Sequence, residues 1–298
     1  MNKSVLTFEE HSAILQTLKF TQNFESRKSK TLSAVVKNKD LIDFSEPDIS
    51  QLSSILDSIK SYDAFIKALY SSTVLNPDEV LTFIDKNPKY SYFLPELLQA
   101  FPTSKFVWLV REPKDNCVSR LKNNIQSFKD VGYLSHWWNL TNLKIAAAAK
   151  EYPDRFLMVP YEQLVSEKEL WIRKICSFTS IEYNADMLEF EKGKNKRDLK
   201  FQNALMKSGR IKENEFVLKI NQLTENLQKP INSSKIDNWK SELTPEQAKN
   251  IDLLCKKNYD HILKSNLDDL NDPSSATFKL LSAFSLSKLK LDIVWNKK

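Results

Sequence analysis

Glycine is the scarcest structural residue of this chain. Only Gly132, Gly193 and Gly209 occur in 298 residues. Loops that cradle phosphate need glycine, because a Cβ would keep backbone N–H groups away from the ligand. No glycine-rich loop can be drawn after any strand, and the Gly-x-x-x-x-Gly-Lys-Ser/Thr pattern is absent. The first fact weighs against a complete nucleotide site, and the second against a nucleoside or nucleotide kinase. Cysteine is equally sparse. Cys117, Cys176 and Cys255 are odd in number and far apart, which fits neither a disulfide framework nor a set of metal ligands. A reducing compartment is therefore expected, and no metal is implied. Long apolar runs are missing too. The N-terminus, MNKSVLTFEEHS, has no apolar signal core, and no run approaches the roughly 18 residues of a membrane span. A cytoplasmic protein without a membrane span is the expectation. Charge is nearly balanced, with 44 Lys and Arg against 38 Asp and Glu. The resulting +6 suits an anionic ligand but is too modest to argue for nucleic acid.

What is present is ordinary globular composition, 41% hydrophobic and 28% charged, in a chain long enough to bury a sizeable core. The most informative stretch is 105–120, KFVWLVREPKDNCVSR. Five apolar residues, Phe106 to Val110, stop at Arg111 and read as a buried strand. Pro113 biases Glu112 away from helix and marks a turn. Asp115 is a candidate N-cap for a helix that carries Ser119. Strand, polar loop and helix thus place a guanidinium at the strand's carboxyl end and a hydroxyl in the early turns of the helix. In an open α/β sheet that edge is where ligands bind. Arginine offers a planar fork suited to phosphate, and a helix N-terminus adds free N–H groups. The stretch reads as an anion site, most naturally for a phosphate.

Elsewhere the pattern alternates short strands and helices. Residues 8–18 are compatible with a helix, and 24–48 read as loops with short helices. Ser50 to Tyr70 follows helical spacing with a slip near Tyr62. Leu81 to Ile84 is a second strand, followed by Asp85-Lys86-Asn87-Pro88 and a short amphipathic helix over 91–100. A loop is expected around Gly132, then a helix from Ser135 to Lys150, rich in alanine. In it Trp138, Asn142, Ile145 and Ala149 share a face, and His136 reads as structural. Arg155 to Val159 is a third strand, ending at Pro160-Tyr161-Glu162, with a helix over 166–179. The lysine-rich run 192–200 is either a solvated segment or an acceptor-binding loop. Thr244, Pro245 and Gln247 make a clean helix start.

Arg-x-Pro-x-Asp-x-x-x-Ser after a buried strand resembles the 3′-phosphate-binding segment of sulfotransferases that use 3′-phosphoadenosine 5′-phosphosulfate. That family reads LVRDPRDVxxS where this chain reads LVREPKDNCVS. Further likenesses follow in order: Asp85-Lys86-Asn87-Pro88 for a Lys-Thr-Pro segment, Tyr161-Glu162-Gln163-Leu164-Val165 for YEDLV, and a late stretch with Ser233-Ser234-Lys235, Trp239-Lys240 and Leu243-Thr244-Pro245-Glu246. The likeness runs from about residue 81 to 260, and 266–298 would be a C-terminal extension to a single domain spanning 1–298.

The resemblance implies an α/β, P-loop-like three-layer fold, with a mainly parallel sheet flanked by helices. It implies that Arg111 and Ser119 hold the 3′-phosphate, with Ser233, Ser234 and Lys235 closing over it and Trp239 packed beneath. Tyr161 would lie near the adenine or the cleft, with Glu162 as an alternative anchor of the sheet edge. Lys86 would face the sulfate or the acceptor. The implied activity is sulfuryl transfer from that co-substrate to a hydroxyl or amine. One expected part is missing. Relatives open with a strand, a loop like Pro-x-Ser-Gly-Thr-Thr and a helix, and that first strand-loop-helix cannot be found here. Either the chain lacks its natural N-terminus, or it is a non-catalytic relative that binds nucleotide or a partner. No general base is assigned. Glu9, Glu10 and His11 are candidates by position alone.

Overall fold

A computed structural model of the chain describes residues 4–9, 13–38, 46–73, 80–122, 130–189 and 230–265, with 42, 267, 268 and 270 as isolated positions. The lysine-rich run 192–200, residues Glu10 and His11, and the extension beyond 270 lie outside the described residues. The chain divides into two compact units. One comprises Met1–Pro102 with Glu189–Pro230, the other Thr103–Leu188 with Ile231–Lys298.

The first unit opens with a strand, β1 (Ser4–Glu9), and a short helix, α1 (Ala13–Thr17). The sequence reading placed a helix over 8–18. Its apolar positions, Ile14, Leu15 and Leu18, belong to α1 and the 3₁₀ turn Leu18–Phe20 that follows, while Ser4 to Glu9 pair as a strand. Pairing with a distant partner overrides a weak local pattern. A strand and then a helix therefore do precede the units read from sequence. The residues joining them are Glu10, His11 and Ser12, so they restore no glycine-containing phosphate loop.

A 13-residue helix, α2 (Phe24–Val36), occupies what was expected to be mostly loop. Buried Phe24, Thr31 and Val35 lie on one side of it, and the Phe24 ring meets Tyr62 and Phe65 at 6.1 and 5.7 Å. Its amphipathic stripe is thin, only four buried positions among polar residues, and that is why it escaped notice. Next come α3 (Ile49–Ile55), a 3₁₀ turn, and α4 (Tyr62–Ser71), so the slip near Tyr62 is a real break between two helices. Ser61 caps α4 through Ala64 N–H. β2 (Val80–Lys86) then runs parallel to β1, with Phe8 opposite Asp85 and Glu9 opposite Lys86. A 3₁₀ turn (Pro88–Tyr92) leads into α5 (Leu94–Ala100).

The second unit holds β3 (Phe106–Val110) and β4 (Phe156–Pro160), paired parallel from Phe106–Phe156 to Val110–Pro160. Between them run α6 (Pro113–Lys122) and the long α7 (Val131–Glu151). Gly132 lies inside α7, not in a loop, because Asp130 caps the helix through Tyr133 N–H at 3.0 Å. β4 passes directly into α8 (Tyr161–Ser166) and α9 (Lys168–Thr179). The chain returns through α10 (Trp239–Glu242) to α11 (Pro245–Leu263), whose Thr244–Gln247 capping box is complete.

The core of this unit is partly polar. Trp108 of β3 donates to Asn142 of α7 at 2.9 Å. Asn139 donates to the Leu254 carbonyl at 2.9 Å and accepts from Asn258 at 2.8 Å, tying α7 to α11. Each of these buried groups finds a partner, which is the condition for tolerating them there. Parallel strand pairs among helices agree with the expected α/β class. Among the described residues they form two separate two-stranded ladders and not one continuous sheet.

Candidate functional site

The second unit gathers four of the five residues singled out from sequence. Arg111 leaves the carboxyl end of β3. Its own carbonyl is held by the buried Trp138 indole N–H at 3.1 Å. Its guanidinium lies over the Tyr161 ring, 4.8 Å from the centroid, and Nη2 donates to the Lys235 carbonyl at 2.6 Å. Its Nε is buried and meets no acceptor. Lys235 thus contributes its backbone to Arg111, while its side chain is exposed. Tyr161 is the first residue of α8, and its place beside Arg111 follows from the strand register that sets Pro160 opposite Val110. Ser119 is half-buried at the end of the second turn of α6. Lys86, the fifth residue, ends β2 in the other unit and is exposed.

The sequence reading made Asp115 the N-cap of α6. The helix begins at Pro113, and the cap role falls to Glu112, whose carboxylate accepts Asp115 N–H at 2.9 Å. Proline at the first helical position loses no needed N–H, so the start moves three residues earlier. Asp115 instead turns its two oxygens to the loop ahead of α10. It accepts Asp237 N–H at 2.7 Å and Trp239 N–H at 2.9 Å. Sequence gave no signal for this, since the partners lie more than 120 positions away. Glu162 was expected as a possible anchor of the sheet edge, and it is placed as one. It accepts Glu112 N–H at 2.9 Å, just past the end of β3, and the Tyr259 hydroxyl at 3.2 Å.

Charge is layered around this edge. Lys114 pairs with Asp252 at 2.7 Å and Glu112 at 3.4 Å, and its ammonium sits 4.3 Å from the Trp239 ring centre. Burial works against that ammonium, but the bond to Asp252 and the charge of Glu112 outweigh it and raise its pKa. Burial pushes the Glu112 carboxyl above the usual carboxylate range, although Asp115 N–H and Lys114 act the other way. Cys117 and Cys255 are fully buried nearby, and burial drives the Cys117 thiol up to about 12, so neither is placed for nucleophilic work. Among the described residues no cluster of His, Cys, Asp and Glu could hold a metal ion, and no helix is long and apolar enough to cross a membrane.

The strand-end arginine thus presents a buried donor without an acceptor above an aromatic face, a geometry suited to an anion. The model of the sulfotransferase family matches residues 6–185, more than half of the chain. The chain belongs to the sulfotransferase family. The match begins within β1, well ahead of residue 81 where the resemblance in the sequence was first legible. Protein-tyrosine sulfotransferase 1 of Danio rerio is 24% identical over 185 residues, covering 59% of this chain and 47% of its own length. Protein-tyrosine sulfotransferase of Drosophila melanogaster is 31% identical over 106 residues, 34% of this chain and 21% of its own. The chain thus spans about half or less of the length of these curated relatives. Among solved structures, the sulfotransferase domain from the Synechococcus PCC 7002 olefin synthase superposes with a TM-score of 0.50 at 16% identity, over 91% of this chain and 97% of that domain. This last likeness speaks for the fold.

Proposed function

We propose that this sulfotransferase-family chain binds 3′-phosphoadenosine 5′-phosphosulfate and transfers its sulfuryl group to a hydroxyl or amine acceptor. The observation that carries the reading is the buried Arg111 Nε, a charged donor without an acceptor at the carboxyl edge of a parallel strand pair. An unsatisfied buried donor is costly, and a phosphate oxygen would remove that cost. Arg111 and Ser119 bind the 3′-phosphate, Tyr161 lies against the nucleotide, and the Lys235 loop closes the corner. The whole chain acts as one domain in this reading.

The co-substrate brings the activated sulfuryl group, and the chain's own residues orient it and manage protons. Glu9 and Lys86 are register partners at the carboxyl ends of β1 and β2, so the topology brings an acid and a base to one sheet edge. There Lys86 supports charge on the sulfuryl oxygens, and no general base is assigned. The names of the relatives make a tyrosine hydroxyl the first acceptor to assay. A second reading, a nucleotide-binding relative without transferase activity, draws on one fact: the chain has only three glycines and none between β1 and α1.

Calorimetric titration with adenosine 3′,5′-bisphosphate tests the reading. Micromolar binding is expected, and Arg111→Ala should weaken it by roughly 1.5–3 kcal/mol, the scale of a hydrogen bond to a charged group. Equal affinity in the variant would refute the role of Arg111, and absence of binding in both would refute the nucleotide site. Transfer to a tyrosine peptide, abolished by Lys86→Ala, separates the catalytic reading from the binding-only one.

A further inference from the structure

The loop that closes on Arg111 combines local ties with one long-range grip. Locally, Ile236 N–H bonds the Ser233 carbonyl at 2.9 Å, Ser234 N–H bonds Asn232 Oδ1 at 3.0 Å, and Asp237 pairs with Lys240 at 2.7 Å. Asp237 adopts φ 61°, a left-handed conformation that costs a residue with a Cβ. Something must offset that cost. Asp115, only 2% exposed, accepts the N–H of Asp237 with one carboxylate oxygen and that of Trp239 with the other. Charge-assisted bonds from backbone N–H groups are among the stronger ones, and here both oxygens of a buried carboxylate are used. Two residues before Asp237 lies Lys235, whose carbonyl takes Arg111 Nη2. Asp115 follows Arg111 by four positions, so the helix start that flanks the arginine also grips the loop that fixes its guanidinium. With Nη2 tied to Lys235 and the Tyr161 ring beneath, the direction of the open Nε is determined.

We propose that Asp115 is the positioning residue of the nucleotide site. By latching residues 237–239 it holds the Lys235 carbonyl against Arg111 and keeps the guanidinium aimed at the 3′-phosphate. This role rests on the nucleotide reading above. It makes Asp115 a determinant of selectivity for nucleotides that carry a 3′-phosphate over those that do not, without Asp115 touching the ligand.

The test is Asp115→Asn in the full chain. The change preserves volume but turns one acceptor into a donor facing a backbone N–H. Titration with adenosine 3′,5′-bisphosphate should show affinity at least roughly tenfold weaker, the scale of one lost charge-assisted bond. Affinity for adenosine 5′-monophosphate should be unchanged, so that the ratio of the two collapses. Trypsin should also cut after Lys235 faster in the variant, with or without nucleotide. Asp237→Pro, at the exposed end of the same contact, removes the N–H and forbids positive φ. It should reproduce the loss even if Asp115→Asn does not fold. Wild type that binds, with variants that keep its affinity and selectivity, overturns the role of Asp115 alone. Equal weakening for both nucleotides without faster cleavage at Lys235 marks a general structural effect and also overturns it. Wild type that binds neither nucleotide overturns the nucleotide reading, and this role with it.

Discussion

His136 should make the protein acid-sensitive in a predictable window. It lies in the second turn of α7 with no solvent exposure. Burial penalises its charged form and lowers its pKa from 6.5 to about 4, against a smaller opposing pull from Asp130. In the unfolded chain the imidazole takes a proton near pH 6.5, whereas the folded protein resists until about pH 4. Between those values the unfolded state binds more protons, so stability rises with pH and falls on acidification. Each unit of difference is about 1.4 kcal/mol, so complete acidification through this window removes roughly 3 kcal/mol. That is a large fraction of the ordinary stability of a domain. Urea unfolding at steps from pH 7.5 to 4, followed by far-UV circular dichroism, reads the effect directly. His136→Gln, which cannot ionise, should flatten the profile over this range even if it lowers stability at pH 7. An unchanged slope in that variant would refute the reasoning and move the acid sensitivity to other groups.

Two further outcomes test how the site edge and its supporting helix are built. Glu162→Ala leaves the Glu112 N–H and the Tyr259 hydroxyl without their acceptor and should destabilise the second unit by about 2–3 kcal/mol in urea unfolding; a loss below about 0.5 kcal/mol would mean that water replaces the carboxylate without penalty. Thr244→Ala breaks the capping box of α11 and should cost about 1 kcal/mol, most of it recovered by Thr244→Ser; equal stability of the alanine and serine variants would argue against the cap.

The elements that were legible in sequence share one property: their signal is local. The five apolar residues of β3, the Thr244 cap and the alanine-rich half of α7 each announce themselves within a few positions. The strand at Leu81 to Ile84 was also found, and proved two residues longer at its carboxyl end and one longer at its start. β1 was not found, because six residues paired with a strand more than 70 positions on carry no helix-breaking or turn signal of their own. The start of α7 was misplaced because Gly132 suggested a loop, while the decisive group was the Asp130 side chain. At the site, Arg111 and Tyr161 were legible from a motif, and their mutual contact follows from the parallel register. The grip of Asp115 was not, since a carboxylate near a helix start looks like a cap whichever backbone N–H groups it takes.

The distances along the chain between these partners have a consequence for synthesis. Arg111 and Lys235 are 124 residues apart, Asp115 and Trp239 likewise, and Asn139 and Leu254 are 115 apart. Closing such long loops is slow relative to forming local helices. As the chain emerges from the ribosome, β3, α6, α7 and β4 can pair early, but Arg111 stays without its latch until residues 235–239 have been made. A nascent chain stopped at residue 185, where the family match ends, would carry the strand-end arginine and still lack the Lys235 carbonyl that fixes its guanidinium. The polypeptide that supplies these ties lies beyond residue 185, in the stretch whose Ser233-Ser234-Lys235 and Trp239-Lys240 resemble the family.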